Sequence, residues 1–561
     1  MKRRGWILAV FLLFGCGDDS SPAPDASTDA PSGDSPSADA GPVVPTVSSW
    51  VGTNVAADLT RVDVTYQLAP FDTAANQMDA NGYPVAGASG KSSTDIGFVL
   101  PSGTYKIAYV GTGTLTVSGI GKLDGAWTQA SGENRNTVTI TGTPGAFGNF
   151  LTLQITNGSG QTVTGVRLLY PGYDYDAPPL FLTQFIALLK PFRALRFMDW
   201  EATNGSTIAN WSDRPASAHY GKSPNGEPWE HIVELVNETG KDCWVTVPEH
   251  ADDAYMHSLA QFLRANLDFT RIDSARQAQG FMTPFQVIVE DSNETWNQGF
   301  TAYATFAAIA KGNATRYTGK YTGSFGPSWM TGNAALMQVA QVHGDRLVDI
   351  GNVFKQDFTD KASVIHPVLS GWALGPGYSD ESLTFIAANY GDPKNYVSYV
   401  AIAPYFATAD DTTTGSLATL FPAMTQNFTS TASTMQDFVK LGAQYGIPIA
   451  AYEGGQSLTG TTNLTIKHLA QSDVRMHDTY VQYLQFWKTN FGSSLFMHFS
   501  LAGTLGLPEN IYQYGFWGSI ASTQVDPTTC GDNLPTLIGT EDPKTESSHC
   551  PKYRALAEQV P

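Results

Sequence analysis

Two strongly strand-like runs in the sequence lead directly into carboxylates. The run "FQVIVE" (285–290) is followed by Asn293 and Glu294, and the run "PIAAYE" (448–453) ends on Glu453. Carboxylates at the ends of buried strands can hold or donate a proton, or attack an electrophilic carbon when ionised. Such chemistry requires secondary-structure elements that bring these groups together.

Beyond residue 172 the chain alternates between apolar strands and amphipathic helices. Seven strand-like runs lie in this part, including "ALRFMDW", "CWVTVPEH", "SVIHPVLSGW" and "VSYVAIAPYF". The run "GVRLLYP" (165–171), which comes just before them, is predicted to be the first strand and brings the number to eight. Near-continuous apolar strands with interleaved helices indicate a parallel sheet covered on both faces. Eight such units over about 350 residues predict an α/β fold of the (β/α)8 TIM-barrel class.

Most of these runs end in polar or aromatic residues. They are Asp199-Trp200, Glu249-His250, Asn293-Glu294, Trp372, Tyr405, Glu453 and His498. The carboxyl ends of all strands of such a barrel meet on one face, where active sites are found. The recurrence predicts a functional site at that face.

An Asn-Glu pair after a fourth strand and a Glu after a seventh resemble the retaining glycoside hydrolases of clan A. The resemblance covers Val166 to Ile520, and "LRFMDWEATN" and "SNETWN" also resemble bacterial proteins labelled cellulose-binding. It implies that Glu294 is the acid/base and Glu453 the nucleophile, the two carboxylates that glycosidic bond cleavage requires. It further implies four substrate-binding or supporting residues: Asn293 at the sugar 2-hydroxyl, Arg196 and Tyr405 at the nucleophile, and His250 in the cleft.

Each assignment has a structural alternative. Glu290 or Asp291 could replace Glu294, but Glu290 ends the apolar run and its side chain is expected to alternate outward. Glu453 could be a turn acid, Arg196 a structural salt bridge and Tyr405 a core residue.

Tryptophans are numerous near the predicted face. Flat aromatic rings stack on the apolar faces of sugars, so Trp200, Trp296, Trp372 and Trp517 are predicted to bind substrate. The alternative is that half of these rings pack loops over the barrel. The family often has Trp on the eighth strand, where this chain has Phe and His in "LFMHFSLAG".

The remaining segments predict an envelope protein with several parts. Residues 1–16 resemble a lipoprotein signal peptide with Cys16 as the lipidated residue, a signal peptide cut elsewhere being the alternative. Residues 17–45 are a Ser/Pro/Asp/Ala tether, and 46–165 predict a β-sandwich. The barrel then spans 166–520, and 521–561 form an extension in which Cys530 and Cys550 are expected to pair.

The composition of the chain limits the classes of partner that it is expected to bind. A net charge of −19 argues against nucleic acid, whereas neutral glycans fit it. The Cys and His spacing predicts no metal site, and no cofactor is expected. Two hypotheses remain: a monomeric, lipid-anchored glycoside hydrolase at the cell surface or outer membrane that cleaves a polysaccharide or oligosaccharide, or a non-catalytic carbohydrate-binding lipoprotein.

Overall fold

The computed structural model describes residues 50–56, 60–94, 100–141, 150–221, 223–407, 415–502, 516–520 and 550–559. Its strands in chain order are β1 (Val51–Asn54), β2 (Ser89–Ser93), β3 (Gly103–Gly111), β4 (Thr114–Gly119), β5 (Gly121–Leu123), β6 (Thr128–Ala130), β7 (Glu133–Ile140), β8 (Leu151–Thr156), β9 (Val163–Leu169), β10 (Ala194–Arg196), β11 (Asp242–Val247), β12 (Val287–Asp291), β13 (Ile365–Ser370), β14 (Tyr399–Ile402), β15 (Ile449–Ala451) and β16 (Phe496–His498).

Helices occupy most of the connections between the later strands. They are α1 (Thr183–Leu188), α2 (Trp229–Thr239), α3 (Asp253–Asn266), α4 (Phe269–Ala278), α5 (Thr301–Gly312), α6 (Ser328–Thr331), α7 (Ala334–Phe358), α8 (Gly377–Tyr390), α9 (Leu417–Ser430), α10 (Ala432–Tyr445), α11 (Leu464–Leu469), α12 (Val474–Phe491) and α13 (Pro551–Ala557). Short 3-10 helices lie at Val64–Gln67, Ala75–Gln77, Trp211–Asp213, Thr359–Val364 and Pro393–Asn395.

Eight parallel strands close into a barrel. The order is β1, then β10 to β16, and β16 pairs back with β1. Helices fill the connections between successive strands from β10 onward. The predicted (β/α)8 barrel is therefore confirmed, and the strands that precede Glu294 and Glu453 are its fourth and seventh.

The first strand of the barrel differs from the prediction. The run at 165–171 was expected to open the barrel, but Val163–Leu169 pairs antiparallel with β3 in another sheet. The actual first strand, "VGTN" at 51–54, is short and contains Gly and Asn, which have low strand propensity. Because β1 precedes the antiparallel region, that region is an insertion between the first two barrel strands, and a boundary at 165/166 does not separate the two.

The barrel interior is filled with side chains rather than open. Its buried cluster is Ala194, Trp244, Ile288, Val368, Ala401, Ala450, Tyr452, Leu495 and Met497. Gly52 is needed where β1 passes its neighbours, since a Cβ there would lie 2.8 Å from the carbonyl oxygen of Ala194. The packed interior gives the residues at the carboxyl ends of the strands a rigid floor.

The inserted region contains two antiparallel sheets. One has the order β2-β8-β4, and the other has the order β5-β7-β3-β9 with β6 paired to β7. One buried apolar cluster, with members such as Tyr105, Leu115, Val138 and Leu153, draws side chains from both sheets. This region is where the β-sandwich was predicted.

Several predictions concern residues outside the described ranges. Cys16, the 17–45 tether and Cys530 are among them, so lipidation and the Cys530–Cys550 pair stay predictions. Of the extension, α13 packs on the barrel, where the Tyr553 hydroxyl donates a hydrogen bond to the Leu188 carbonyl at 3.0 Å. Among the described helices, none has the length and apolar character to cross a membrane.

Candidate active site

Arg196 lies at the centre of the predicted site, as the last residue of β10. Its side chain is fully buried, and its three nitrogens all donate hydrogen bonds. Nε donates to Glu290 Oε2 at 2.9 Å, and Nη1 donates to Glu453 Oε1 at 2.8 Å. Nη1 also donates to Asn54 Oδ1 at 2.9 Å, and Nη2 donates to Asn293 Oδ1 at 2.8 Å. The planar guanidinium thus connects β10 with side chains in or just after three other strands, β1, β12 and β15.

The carboxylates bound to Arg196 keep its guanidinium protonated. Burial lowers the pKa of Arg196, but the charges of Glu290 and Glu453 outweigh burial and leave this pKa above its ordinary value. A permanently charged guanidinium in this position stabilises the ionised form of both carboxylates.

Glu453 follows β15 by two residues and receives hydrogen bonds on both of its oxygens. Arg196 donates to Oε1, and the Tyr405 hydroxyl donates to Oε2 at 2.8 Å. Burial leaves the pKa of Glu453 above its ordinary value, although the charge of Arg196 and the Tyr405 hydrogen bond oppose this rise. Glu453 is therefore a buried carboxyl whose ionised form is stabilised by a cation and by hydrogen bonds to both oxygens.

Glu294 has a different environment. It is half-buried, and the contact of its Oε2 is the Asn297 amide, which donates at 2.8 Å. Burial and, next, the negative charge of Glu453 raise the pKa of Glu294 to about 8. Of the two carboxyls, Glu294 thus holds a proton at neutral pH.

The backbone before Glu294 is bent sharply. Ser292 has φ 58° and Glu294 has φ 45°, a left-handed conformation that non-glycine residues seldom adopt. This turn lets Asn293 point to Arg196 while Glu294 lines a cavity. Such strain is tolerated where the surrounding structure fixes it, and it clusters at functional sites.

Two residues of the site were missed from the sequence. Glu290 was expected to point outward, but it is fully buried and accepts from Arg196 and from Trp244 Nε1 at 2.9 Å. Alternation holds along β12, but it places Glu290 on the barrel-interior face with Ile288, while Val287 and Val289 pack in the core outside the barrel. There Arg196 neutralises the charge of Glu290. Asn54 was missed because the first strand was misplaced; its amide donates to the carbonyl oxygens of Tyr452 and His498 at 3.1 and 3.2 Å.

Asp291, the other alternative acid, is structural. Both of its oxygens accept from Arg346 of α7 at 3.1 Å, and the carboxylate is buried between β12 and that helix. It anchors the end of β12 and does not line the cavity at Glu294.

Trp296 and Trp372 form a stacked pair beside Glu294. Their ring centroids are 5.0 Å apart with an interplanar angle of 9°, and Trp296 Nε1 donates to the Tyr452 hydroxyl at 3.2 Å. Trp517 is edge-on to Phe499, which is itself edge-on to Tyr405. Trp296 and Trp372 therefore line the cavity with Glu294, whereas Trp517 is connected to Tyr405 through Phe499.

Trp200 and His250 do not join the site. Trp200 is only 7% exposed and packs on Phe181, Phe185 and Phe197, so the prediction of a sugar-binding face is wrong. The apolar residues of the insertion and α1, which cover this ring, could not be placed from the sequence. His250 is exposed beyond the end of β11 and does not line the cavity, so its predicted place in the cleft is not supported.

A cavity of about 240 Å³ opens from Glu294. It is bounded by Trp296, Trp372 and Tyr405, and by apolar side chains of α9, α10 and α12. Carboxyl, hydroxyl and indole groups on apolar walls suit an organic ligand of moderate polarity. Among the described residues, no group of His, Cys, Asp and Glu is arranged to hold a metal ion.

No family model and no curated protein matches the chain. Solved structures similar to it include an α-L-arabinofuranosidase from Thermotoga maritima (13% identity, TM-score 0.35, 61% of this chain and 63% of that one). Another is the GH51 arabinofuranosidase from Xanthomonas axonopodis pv. citri (12%, TM-score 0.34, 60% and 64%). A third is a 4-O-α-L-rhamnosyl-β-D-glucuronidase from Fusarium oxysporum (12%, TM-score 0.33, 67% and 63%).

The chain covers less than two thirds of the length of each of these three proteins. All three are glycoside hydrolases by name, and the barrel described above stands on its own strand pairing.

Removing the Tyr405 hydroxyl should change the pKa of Glu453. In Tyr405→Phe the hydrogen bond that lowers the Glu453 pKa is lost, so this pKa should rise further. The acid limb of the kcat/KM profile should then move to higher pH, because the nucleophile that the resemblance implies reacts in its ionised form. The matched control is Tyr399→Phe, which removes a hydroxyl at the opposite end of β14. An unchanged acid limb in Tyr405→Phe would contradict this role.

Proposed function

We propose that the protein is a retaining glycoside hydrolase that cleaves β-glycosidic bonds of a polysaccharide. The observation that carries this proposal is the unequal environment of two carboxyls at one end of the barrel. Glu453 accepts from Arg196 and Tyr405, while Glu294 faces the cavity with its pKa raised to about 8. A pair of carboxyls whose environments push their pKa values apart is the arrangement that acid/base chemistry needs.

In this mechanism Glu294 donates its proton to the glycosidic oxygen as the bond to the anomeric carbon breaks. The ionised Oε of Glu453 attacks that carbon and forms a covalent glycosyl-enzyme ester. Glu294, now ionised, takes a proton from water, and the water oxygen attacks the anomeric carbon. Glu453 leaves as a carboxylate, so both residues return to their starting states.

Asn293 and Arg196 support these steps. Asn293 is fixed by Arg196 at its oxygen and donates through its amide to Asn204 Oδ1 at 3.0 Å. We infer that Asn293 contacts the sugar 2-hydroxyl, where hydrogen bonds strengthen in the transition state. Trp296, Trp372 and Trp517 would stack on sugar rings.

The acid role of Glu294 predicts a dependence on the leaving group. Glu294→Gln should slow hydrolysis of polysaccharides and alkyl glycosides by about 10²–10⁴-fold, because the leaving oxygen then departs unprotonated. Dinitrophenyl glycosides, whose leaving group needs no proton, should lose far less in the first step. The alkaline limb of the wild-type kcat/KM profile should fall near pH 8, where Glu294 loses its proton, and this limb should disappear in the variant.

The experiment is a panel of β-glucan, xylan, mannan and galactan, together with alkyl and dinitrophenyl glycosides. Reducing-sugar release is measured for wild type, Glu294→Gln and the surface control Glu234→Gln. Equal losses on both kinds of glycoside would contradict the acid role. Binding of a polysaccharide with no release by the wild type would instead support a carbohydrate-binding protein.

We also propose that the chain is tethered to the bacterial envelope through Cys16. The support is the sequence "LLFGC" after a basic and apolar leader, followed by the 17–45 tether. A surface anchor suits a polymer too large to enter the cell. The full chain should fractionate with membranes, and Cys16→Ser should release it; membrane association unaffected by the substitution would contradict the tether.

A further inference from the structure

Trp329 is a large aromatic side chain with no role in the mechanism above. It belongs to α6 and is 55% exposed, and it is the one aromatic among the large apolar side chains that stand exposed in the described ranges. Leu374, after β13, is 40% exposed nearby. Exposing such rings costs solvation free energy, and clusters of them mark binding surfaces.

Trp329 and Leu374 line a groove of about 490 Å³. The other walls come from residues 324–327, from 375–376, and from Thr434 and Asp437 of α10. Asp437 pairs with Lys440 at 2.9 Å on the same helix, and its carboxylate is half-exposed. One indole among hydroxyl, carboxylate and backbone groups is a surface that suits a sugar better than an apolar peptide.

The groove adjoins the cavity at Glu294. Leu374 lines both spaces. The Trp329 ring is perpendicular to Trp372, with centroids 5.3 Å apart and an interplanar angle of 84°, and Trp372 stacks on Trp296 beside Glu294. A row of three indoles therefore leads from the acid/base to the groove.

The position of these three indoles beside Glu294 indicates which portion of the substrate they would contact. Glu294 gives its proton to the leaving oxygen, so the leaving portion of the glycan lies on the Glu294 side. Glu453, which takes the other portion, does not line either space.

We propose that Trp329 is a stacking platform for a sugar of the leaving portion of a glycan chain, with Asp437 accepting hydrogen bonds from its hydroxyls. This rests on the proposed function. It also specifies the substrate more narrowly, as a glycan chain whose leaving portion extends over several sugars. Such a substrate is cleaved within the polymer.

Measurements of oligosaccharide binding test the groove independently of catalysis. In a Glu453→Gln background, calorimetry with cellohexaose, xylohexaose and mannohexaose identifies the hexasaccharide that binds. Adding Trp329→Ala should weaken that binding about 10-fold or more, and Trp329→Phe should restore most of it. The matching disaccharide should respond far less, because it does not reach the groove. The control is Met282→Ala, which removes another exposed apolar side chain that lines neither space.

Kinetics provide the second measurement. With active enzyme, the loss of kcat/KM caused by Trp329→Ala should be at least about 10-fold greater for the hexasaccharide than for an aryl glycoside. Equal losses, or hexasaccharide binding that ignores Trp329, would overturn the inference. So would a wild type that hydrolyses aryl glycosides while no hexasaccharide binds. Trp329-dependent binding without any hydrolysis would keep the groove and contradict the proposed function, so the two failures are distinct.

Discussion

Glu453→Gln is expected to abolish hydrolysis, with kcat falling by roughly 10⁴-fold or more, the scale on which enzymes lose turnover with their nucleophile. The amide is nearly isosteric: its oxygen can still accept from Arg196, and its NH2 group can donate to the Tyr405 hydroxyl oxygen, so the fold should persist. Its neutral oxygen cannot form the glycosyl ester. The measurement is kcat on an aryl glycoside, with circular dichroism to show that the protein is folded.

A second signature accompanies this loss. The negative charge of Glu453 is the next cause, after burial, of the raised Glu294 pKa, so this pKa should fall in Glu453→Gln. The carboxyl resonance of Glu294 in a ¹³C-detected pH titration reports that shift. Activity in Glu453→Gln comparable to that of Glu234→Gln would contradict the assignment of the nucleophile.

The second large effect concerns stability. Arg196→Met keeps most of the side-chain volume but leaves Glu290 and Glu453 buried without their cation. Breaking a buried ion pair by removing one partner costs about 3–5 kcal/mol, so the free energy of unfolding should fall by about that amount. Urea denaturation followed by tryptophan fluorescence measures it.

The pH dependence of this loss follows from the same charges. Without Arg196 the pKa of Glu453 rises further in the folded protein, so its ionised form destabilises the folded state and its protonated form does not. The variant should therefore recover stability toward acid pH. Arg264→Met, which breaks an exposed pair with Asp360, should cost no more than about 1 kcal/mol. Equal losses in the two variants would contradict the account of Arg196.

The barrel could be predicted from the sequence because its buried strands carry a strong signal. β11, β12 and β13 are apolar on both faces, and the polar residues after them mark the carboxyl end of each strand. The contact of Arg196 with Glu453 could be expected once both were placed at that end. Local pattern and topology agree there.

Other features depend on packing that no local pattern shows. "VGTN" has little strand character and becomes β1 only because β16 and β10 pair on either side of it. Glu290 breaks the apolar pattern of the barrel interior, and only the position of Arg196 explains it. Trp200 follows the predicted pattern of the face, but Phe181 and Phe185 cover it from the segment around α1, on the other side of β10.

The stereochemistry of the first product tests the central claim most directly. Proton NMR follows the anomeric signals during hydrolysis of the β-linked oligosaccharide that the enzyme cleaves fastest. Double displacement through Glu453 predicts that the β-anomer forms first and that the α-anomer appears later by mutarotation. Initial formation of the α-anomer, or no hydrolysis of any glycan in the panel, would contradict a retaining hydrolase in which Glu453 is the nucleophile.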